Sequence, residues 1–117
     1  MTELITTTTG SRPAQRRVWI GLVHVMPTEP DLLNGSNAAY VNVLSIARGR
    51  EDYESSVRAA AHSLGFVVID FEDVEAFSTR AKKWKMNDEM KQLARACEET
   101  GETQFGSFYT YRDETIN

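Results

Sequence analysis

The residues best suited to chemistry are one histidine and two tyrosines, His24, Tyr40 and Tyr109. An imidazole titrates close to neutral pH, and a phenol beside it can hold or pass on a proton. A pocket built from these three side chains would suit a small cofactor-independent enzyme or a ligand-binding protein. A histidine within an apolar strand is more commonly a hydrogen-bonded structural residue, so this enzyme is the alternative hypothesis and not the leading one.

Two runs of charge point to a binding surface instead. The acidic run is Asp70, Glu72, Asp73 and Glu75, and the basic run is Arg80, Lys82, Lys83 and Lys85 around Trp84. Four carboxylates this close in sequence can hold Mg²⁺, but the glycine and the spacing of a calcium-binding loop are missing. Acidic residues at the start of a helix are also stabilised by the helix dipole, without any ligand. The basic run can hold an acidic protein partner, or it can be a solvated connector with Trp84 packed in the core. The predicted partner-binding residues are Glu72, Asp73, Glu75, Arg80, Lys82, Lys83 and Trp84, with no metal site and no cofactor.

Composition and charge restrict the class of protein. The chain has 117 residues, of which 41% are hydrophobic and 26% charged, as in an ordinary globular domain. Its formal charge of −4 argues against an extended nucleic-acid interface, since phosphate binding needs a surplus of cations. No apolar run is long enough to cross a bilayer. The single cysteine, Cys97, cannot form an internal disulfide, so we expect a cytoplasmic protein.

Hydrophobic periodicity predicts the elements that position these residues. Residues 17–26 and 39–47 read as strands, the first apolar on both faces and therefore central in a sheet. An amphipathic helix ends at Gly65, and a buried strand follows over residues 66–71. The acidic run then begins a short helix or turn, a helix covers residues 87–99, and a last strand covers residues 103–111. In that strand Phe105, Ser107, Tyr109 and Tyr111 are expected on one face.

The predicted fold class is α+β, in one domain over residues 16–112 between flexible ends at 1–15 and 113–117. We expect a four-stranded mixed sheet with two main helices on one face, ferredoxin-like in style. The second and third strands are expected to pair in parallel, because the helix between them supplies a crossover. The element order β-β-α-β-α-β differs from the ferredoxin-like order βαββαβ, which leaves the strand order open. Residues 28–38 are either an irregular loop or contain a short helical turn.

For function, the leading hypothesis is a small bacterial interaction protein without catalytic activity, which works by occupying a protein partner as immunity or adaptor proteins do. It rests on the small size, the acidic charge and the two adjacent charged runs. The competing hypothesis is the enzyme or ligand-binding protein with its pocket near His24, Tyr40 and Tyr109. A homodimer is compatible with either hypothesis.

Overall fold

The structure, a computed structural model, describes residues 15–112 and contains four strands, three helices and one 3-10 turn within that range. The strands are β1 (Arg17–Pro27), β2 (Ala38–Ala47), β3 (Phe66–Ala76) and β4 (Gln104–Tyr111). The helices are α1 (Arg50–Ser63), α2 (Phe77–Lys83) and α3 (Asp88–Thr100), and the 3-10 turn is Pro30–Leu33. The α+β class is confirmed, although α2 makes the element order β-β-α-β-α-α-β. The predicted flexible ends lie outside the described residues, apart from Gln15.

The sheet has the strand order β3-β1-β2-β4, and every neighbouring pair is antiparallel. The predicted mixed sheet is therefore wrong. Strands β2 and β3 do run in the same direction across helix α1, but β1 lies between them and pairs with both. The apolar character of both faces of β1 suits this central place. The ferredoxin-like arrangement is not confirmed by this order.

The helices pack on opposite faces of the sheet, so the prediction of two helices on one face is also wrong. One face carries Val23, Val41 and Val43 against Tyr53 and Val57 of α1. The other face buries a second cluster against α3, which consists of Val18, Ile20, Leu44, Met90, Ala94 and Cys97. Because β1 and β2 alternate apolar side chains to both faces, each face needs its own helical cover.

Helix ends follow the residues that predict them. The Asn87 side chain accepts a hydrogen bond from Met90 N at 2.8 Å and begins α3, and Gly101 ends it in a left-handed conformation with φ of 75°. Gly65 has φ of 90° just after α1, as its position predicts. Leu64, the residue between α1 and Gly65, is half exposed.

Strand β3 is longer than predicted and lies at an edge of the sheet. It continues through the acidic run to Ala76, so the prediction that this run begins a helix is wrong. The strand continues because residues beyond the acids still have core partners: Val74 packs against the α1 core and Ala76 is buried, although the backbone is irregular at Asp73, which has a left-handed φ. Its position at the edge leaves Val67 and Ile69 exposed at 46% and 41%.

Candidate functional site

One candidate site lies on the half of the sheet that α2 and α3 leave open. Helix α3 packs over Val18, Ile20 and Leu44 at one end of this face. Beyond that end, four strands place one residue each in a row, in the order Asp70, His24, Tyr40 and Tyr109. Adjacent residues in such a row project to the same face and can contact each other. We call this row, together with Tyr111, the aromatic row.

His24 is held in the aromatic row by two tyrosines. Its ring stacks on Tyr40 with the centroids 4.3 Å apart and the planes 12° from parallel. Its Nε2 shares a hydrogen bond with the Tyr111 hydroxyl, and these two rings are also stacked. Tyr111 lies opposite Ala38, whose small side chain leaves room for the Tyr111 ring to reach across β2. Ala38 is fully buried, as expected if the Tyr111 ring covers it.

The structure brings a further tyrosine, Tyr111, to the three residues predicted for the pocket. Tyr109 lies opposite Tyr40 but is 58% exposed, whereas Tyr111 makes the hydrogen bond to His24. A register shift in β4 also corrects the predicted face of Phe105. Phe105 pairs with Val43 and Phe108 with Val41, so both phenylalanines face α1, whereas Ser107, which donates a hydrogen bond to Glu89 of α3, lies on the same side of the sheet as Tyr109 and Tyr111.

This arrangement can support proton transfer, because a titratable imidazole and a phenol share one hydrogen bond. The signal for Tyr111 was present in the sequence, since it lies two residues from Tyr109 and shares its face. The sequence does not show that the Tyr111 ring extends over Ala38, because this depends on how β2 pairs with β4.

The second candidate site is a concave surface at the β3 edge with a volume of about 660 Å³. We call it the Trp84 surface, and it is lined by Asp73, Val74, Glu75, Arg80, Lys83 and Trp84. It joins the end of β3 to α2 and so brings part of the acidic run against part of the basic run. Glu72 and Lys82 are exposed outside it, and Glu72 lies opposite Leu22 of β1.

Glu75 is the centre of the charge network on this surface. Its carboxylate lies 2.5 Å from Arg80 Nε and 2.7 Å from Lys83 Nζ. Arg80 and Lys83 are three residues apart on α2, which places both on the same helix face. Hydrogen bonds from Lys83 and Arg80 hold the pKa of Glu75 below its usual value. The acidic run is therefore partly neutralised within the chain itself.

Arg80 also stabilises the irregular backbone of β3 at Asp73. Its guanidinium donates a second hydrogen bond to the carbonyl oxygen of Asp73, a residue with a left-handed φ of 54°. Both Glu75 and Arg80 are largely buried, with side-chain exposures of 18% and 15%. The network is consequently a fixed part of the surface and not a set of mobile charges.

Trp84 is exposed at 64%, so the expectation that it packs in the core is wrong. Helix α2 ends at Lys83, and Trp84 follows in an extended conformation. Phe77 at the other end of α2 packs with the α3 cluster, while the indole of Trp84 stays on the concave surface. The fold thus leaves one large aromatic side chain in contact with water beside the charge network.

The thiol of Cys97 lies in the core and not at either candidate site. Cys97 is fully buried against Val18 and Leu44, and burial raises the pKa of its thiol to about 11. Within residues 15–112 no three His, Cys, Asp or Glu side chains are grouped so as to bind a metal ion. Among the helices in that part of the chain, none combines the length and apolarity needed to span a membrane.

Comparison with protein-family models, with curated proteins and with solved structures gives no match for this chain. The class that the structure defines is thus a small α+β protein with one antiparallel sheet between two helical layers. The aromatic row and the Trp84 surface are its two candidate functional sites.

Proposed function

We propose that this chain is a small interaction protein without catalytic activity, which binds a protein partner at the Trp84 surface. The observation that carries the proposal is the indole of Trp84, exposed at 64% on a concave surface. Tryptophan and arginine are the residues that most often dominate binding energy at protein interfaces, because they bury a large area with few rotatable bonds.

The charges beside Trp84 support the same proposal. Glu75 pairs with both Arg80 and Lys83, so a partner that covers this network buries ion pairs and one net positive charge, and not three isolated charges. A network fixed before binding also loses little side-chain freedom when the complex forms. Glu72 and Lys82 lie outside the surface, where they contribute only a screened attraction to the rate of association.

The test starts from a partner that is recovered with the wild-type chain, identified and purified. Its affinity for the wild-type chain and for each variant is then measured by titration of the two purified proteins. Replacing Trp84 with Ala should weaken binding by about 30-fold or more, which corresponds to the ~2 kcal/mol that defines an interface hot spot. Leu64→Ala is the matched control, because Leu64 is also exposed but lies at the end of α1 away from this surface. Equal affinity of the wild type and W84A for the purified partner would disprove the proposal.

The second candidate function is a cofactor-independent enzyme that works at the aromatic row. The hydrogen bond between the Tyr111 hydroxyl and His24 Nε2 favours it, because that pair can accept and return a proton. Under this alternative, His24→Gln and Tyr111→Phe should each abolish turnover of a substrate while leaving the melting temperature nearly unchanged. Trp84→Ala should leave turnover intact, so the two candidate functions are separated by the same three variants.

A further inference from the structure

A cavity of about 330 Å³ lies between α2, α3 and the first residues of β1, and it shares no lining residue with the Trp84 surface. Its apolar lining consists of Val18, Phe77 and Ala94, which all pack in the core cluster under α3. Val18 and Ala94 are buried, and Phe77 is half-buried. Because core packing fixes these side chains, the cavity is formed before any ligand binds, and its volume is that of a small-ligand site.

Positive charge dominates the rest of this cavity. Arg17, Lys91 and Arg95 line it, and Glu98 is the one carboxylate among its lining residues. The lining therefore has a net charge of +2, in a chain whose formal charge is −4. None of the three cations forms an ion pair with a carboxylate of residues 15–112, whereas both cations of the Trp84 surface do. These charges are thus available to a ligand.

Lys91 and Arg95 are placed to bind one anionic group together. They lie four residues apart on α3 and are neighbours on one helix face, where like charges repel. An anion between them removes this repulsion, and the arginine fork can bind a carboxylate or phosphate through two hydrogen bonds. The Ser78 hydroxyl, also in the lining, can donate a further one. The Arg17 guanidinium lies 5.9 Å from the centroid of the Trp19 ring, so we expect it to attract the anion without binding it directly.

We propose that this cavity binds a small organic anion, a carboxylate or a phosphate monoester with an apolar body. The anionic group lies between Lys91 and Arg95, and the apolar body packs on the side chains that belong to the α3 cluster. The charge of the lining selects an anion over a cation or a neutral molecule. The apolar lining favours an organic anion over an inorganic one, since it takes apolar surface out of water. The inference does not depend on the proposed function at the Trp84 surface.

Calorimetric titration of the full chain with phenyl phosphate and with benzoate tests the proposal. Saturable binding of either anion supports it, and the ratio of their affinities identifies the anionic group that the cavity prefers. Phenyl phosphate should bind about fivefold or more tightly than inorganic phosphate, because its ring packs on the apolar lining. Benzyl alcohol, which has the ring without the charge, should show no binding. Amide chemical-shift changes in NMR spectra should be largest at Ser78, Lys91 and Arg95.

Variants of the lining separate this site from general attraction by charge. Lys91→Gln/Arg95→Gln should weaken phenyl phosphate binding by about tenfold or more. Lys82→Gln/Lys85→Gln is the matched control, because it removes the same charge from exposed residues outside the cavity. It should change the affinity by less than about twofold, since exposed charges at a distance are screened. Glu98→Gln should strengthen binding, because it removes the carboxylate from the lining.

Circular dichroism checks that each variant is folded. If the K91Q/R95Q variant does not fold, the chemical-shift map of the wild type and the affinity of the E98Q variant decide. Equal affinity for inorganic phosphate and phenyl phosphate would mean an adventitious ion only. Equal losses in the two double variants would mean attraction by net charge without a site. Either result, equal binding of benzyl alcohol, or no saturable binding of both anions at millimolar concentration would overturn the proposal.

Discussion

Adding one methyl group at Gly21 should destabilise the protein through Tyr53. Gly21 lies in β1 opposite Val43, and the Val43 carbonyl oxygen accepts a hydrogen bond from the Tyr53 hydroxyl at 2.7 Å. Tyr53 is fully buried, and its burial raises the pKa of the phenol above its usual value, so it remains a neutral donor. A Cβ on Gly21 would lie 2.8 Å from the Tyr53 hydroxyl oxygen and 3.0 Å from Val74 Cγ2. Because Gly21 has no side chain, there is room for the Tyr53 hydroxyl beside it.

The magnitude follows from three effects. Overpacking a core by one methyl group costs about 1 to 3 kcal/mol, and the lower backbone entropy of Ala in a strand offsets about 0.5 to 1 kcal/mol of that. Tyr53→Phe removes one buried hydrogen bond, worth about 1 kcal/mol. It also removes the atom nearest to the new Cβ, so the Gly21→Ala/Tyr53→Phe double variant should be more stable than the sum of the single losses by about 1 kcal/mol.

Urea unfolding followed by circular dichroism measures all three variants, with the slope of the transition checked for constancy. Gly49→Ala is the matched control, because nothing lies within 4 Å of a Cβ at Gly49 and its φ of 176° is open to any residue. It should change the free energy of unfolding by less than about 0.5 kcal/mol. Losses at Gly21 and Tyr53 that add within about 0.4 kcal/mol would refute the steric account.

Three further outcomes are expected. Glu75→Gln should lower the melting temperature at pH 7. Because the pKa of Glu75 is depressed in the folded state, its contribution is present above its unfolded pKa and is lost as the pH falls through the folded value, so thermal unfolding at pH 3 should show a smaller difference. Cys97, with its pKa raised to about 11 by burial, should resist a thiol reagent at pH 8 and react only after urea is added; rapid labelling of the native chain would contradict its place in the core. Gly65→Val should lower the urea midpoint strongly, because φ there is 90° and a Cβ would lie 2.8 Å from Leu32 Cδ1; an unchanged midpoint would mean that the turn is not as described.

Local signals in the sequence predict local structure well here. Asn87 and Gly101 delimit α3, and Gly65 follows α1, because a cap or a left-handed turn depends on a few neighbouring residues. The strand order depends on distant pairing. The helix between β2 and β3 predicts that these strands run in the same direction, but nothing local shows that β1 lies between them. Alternation likewise shows that β1 has two apolar faces without showing which helix covers each one.

The candidate sites also combine local features that the sequence predicts with long-range features that it does not. Residue types alone suggested that His24 and Tyr40 belong together, and they stack. The hydrogen bond between Tyr111 and His24 depends on the small side chain of Ala38 across the sheet, which no local pattern reveals. Trp84 follows Lys83, the last residue of α2, in an extended conformation and is exposed, and its residue type alone did not show this.

The position of the aromatic row follows from the lengths of the elements. A helix rises about 1.5 Å per residue, so the 13 residues of α3 span about 20 Å and the seven of α2 about 10 Å. A strand rises about 3.3 Å per residue, so the 11 residues of β1 span about 36 Å. The second face of the sheet is therefore covered only in part. Ile20 lies under the cover and is buried, whereas Ile69 lies beyond it on β3 and is 41% exposed. Replacing Ile20 with Thr should consequently lower the free energy of unfolding by about 2 kcal/mol or more, while Ile69→Thr should change it by less than about 0.5 kcal/mol. Equal losses in urea unfolding would show that the open half of this face is covered in the folded chain, and the aromatic row would then be core and not surface.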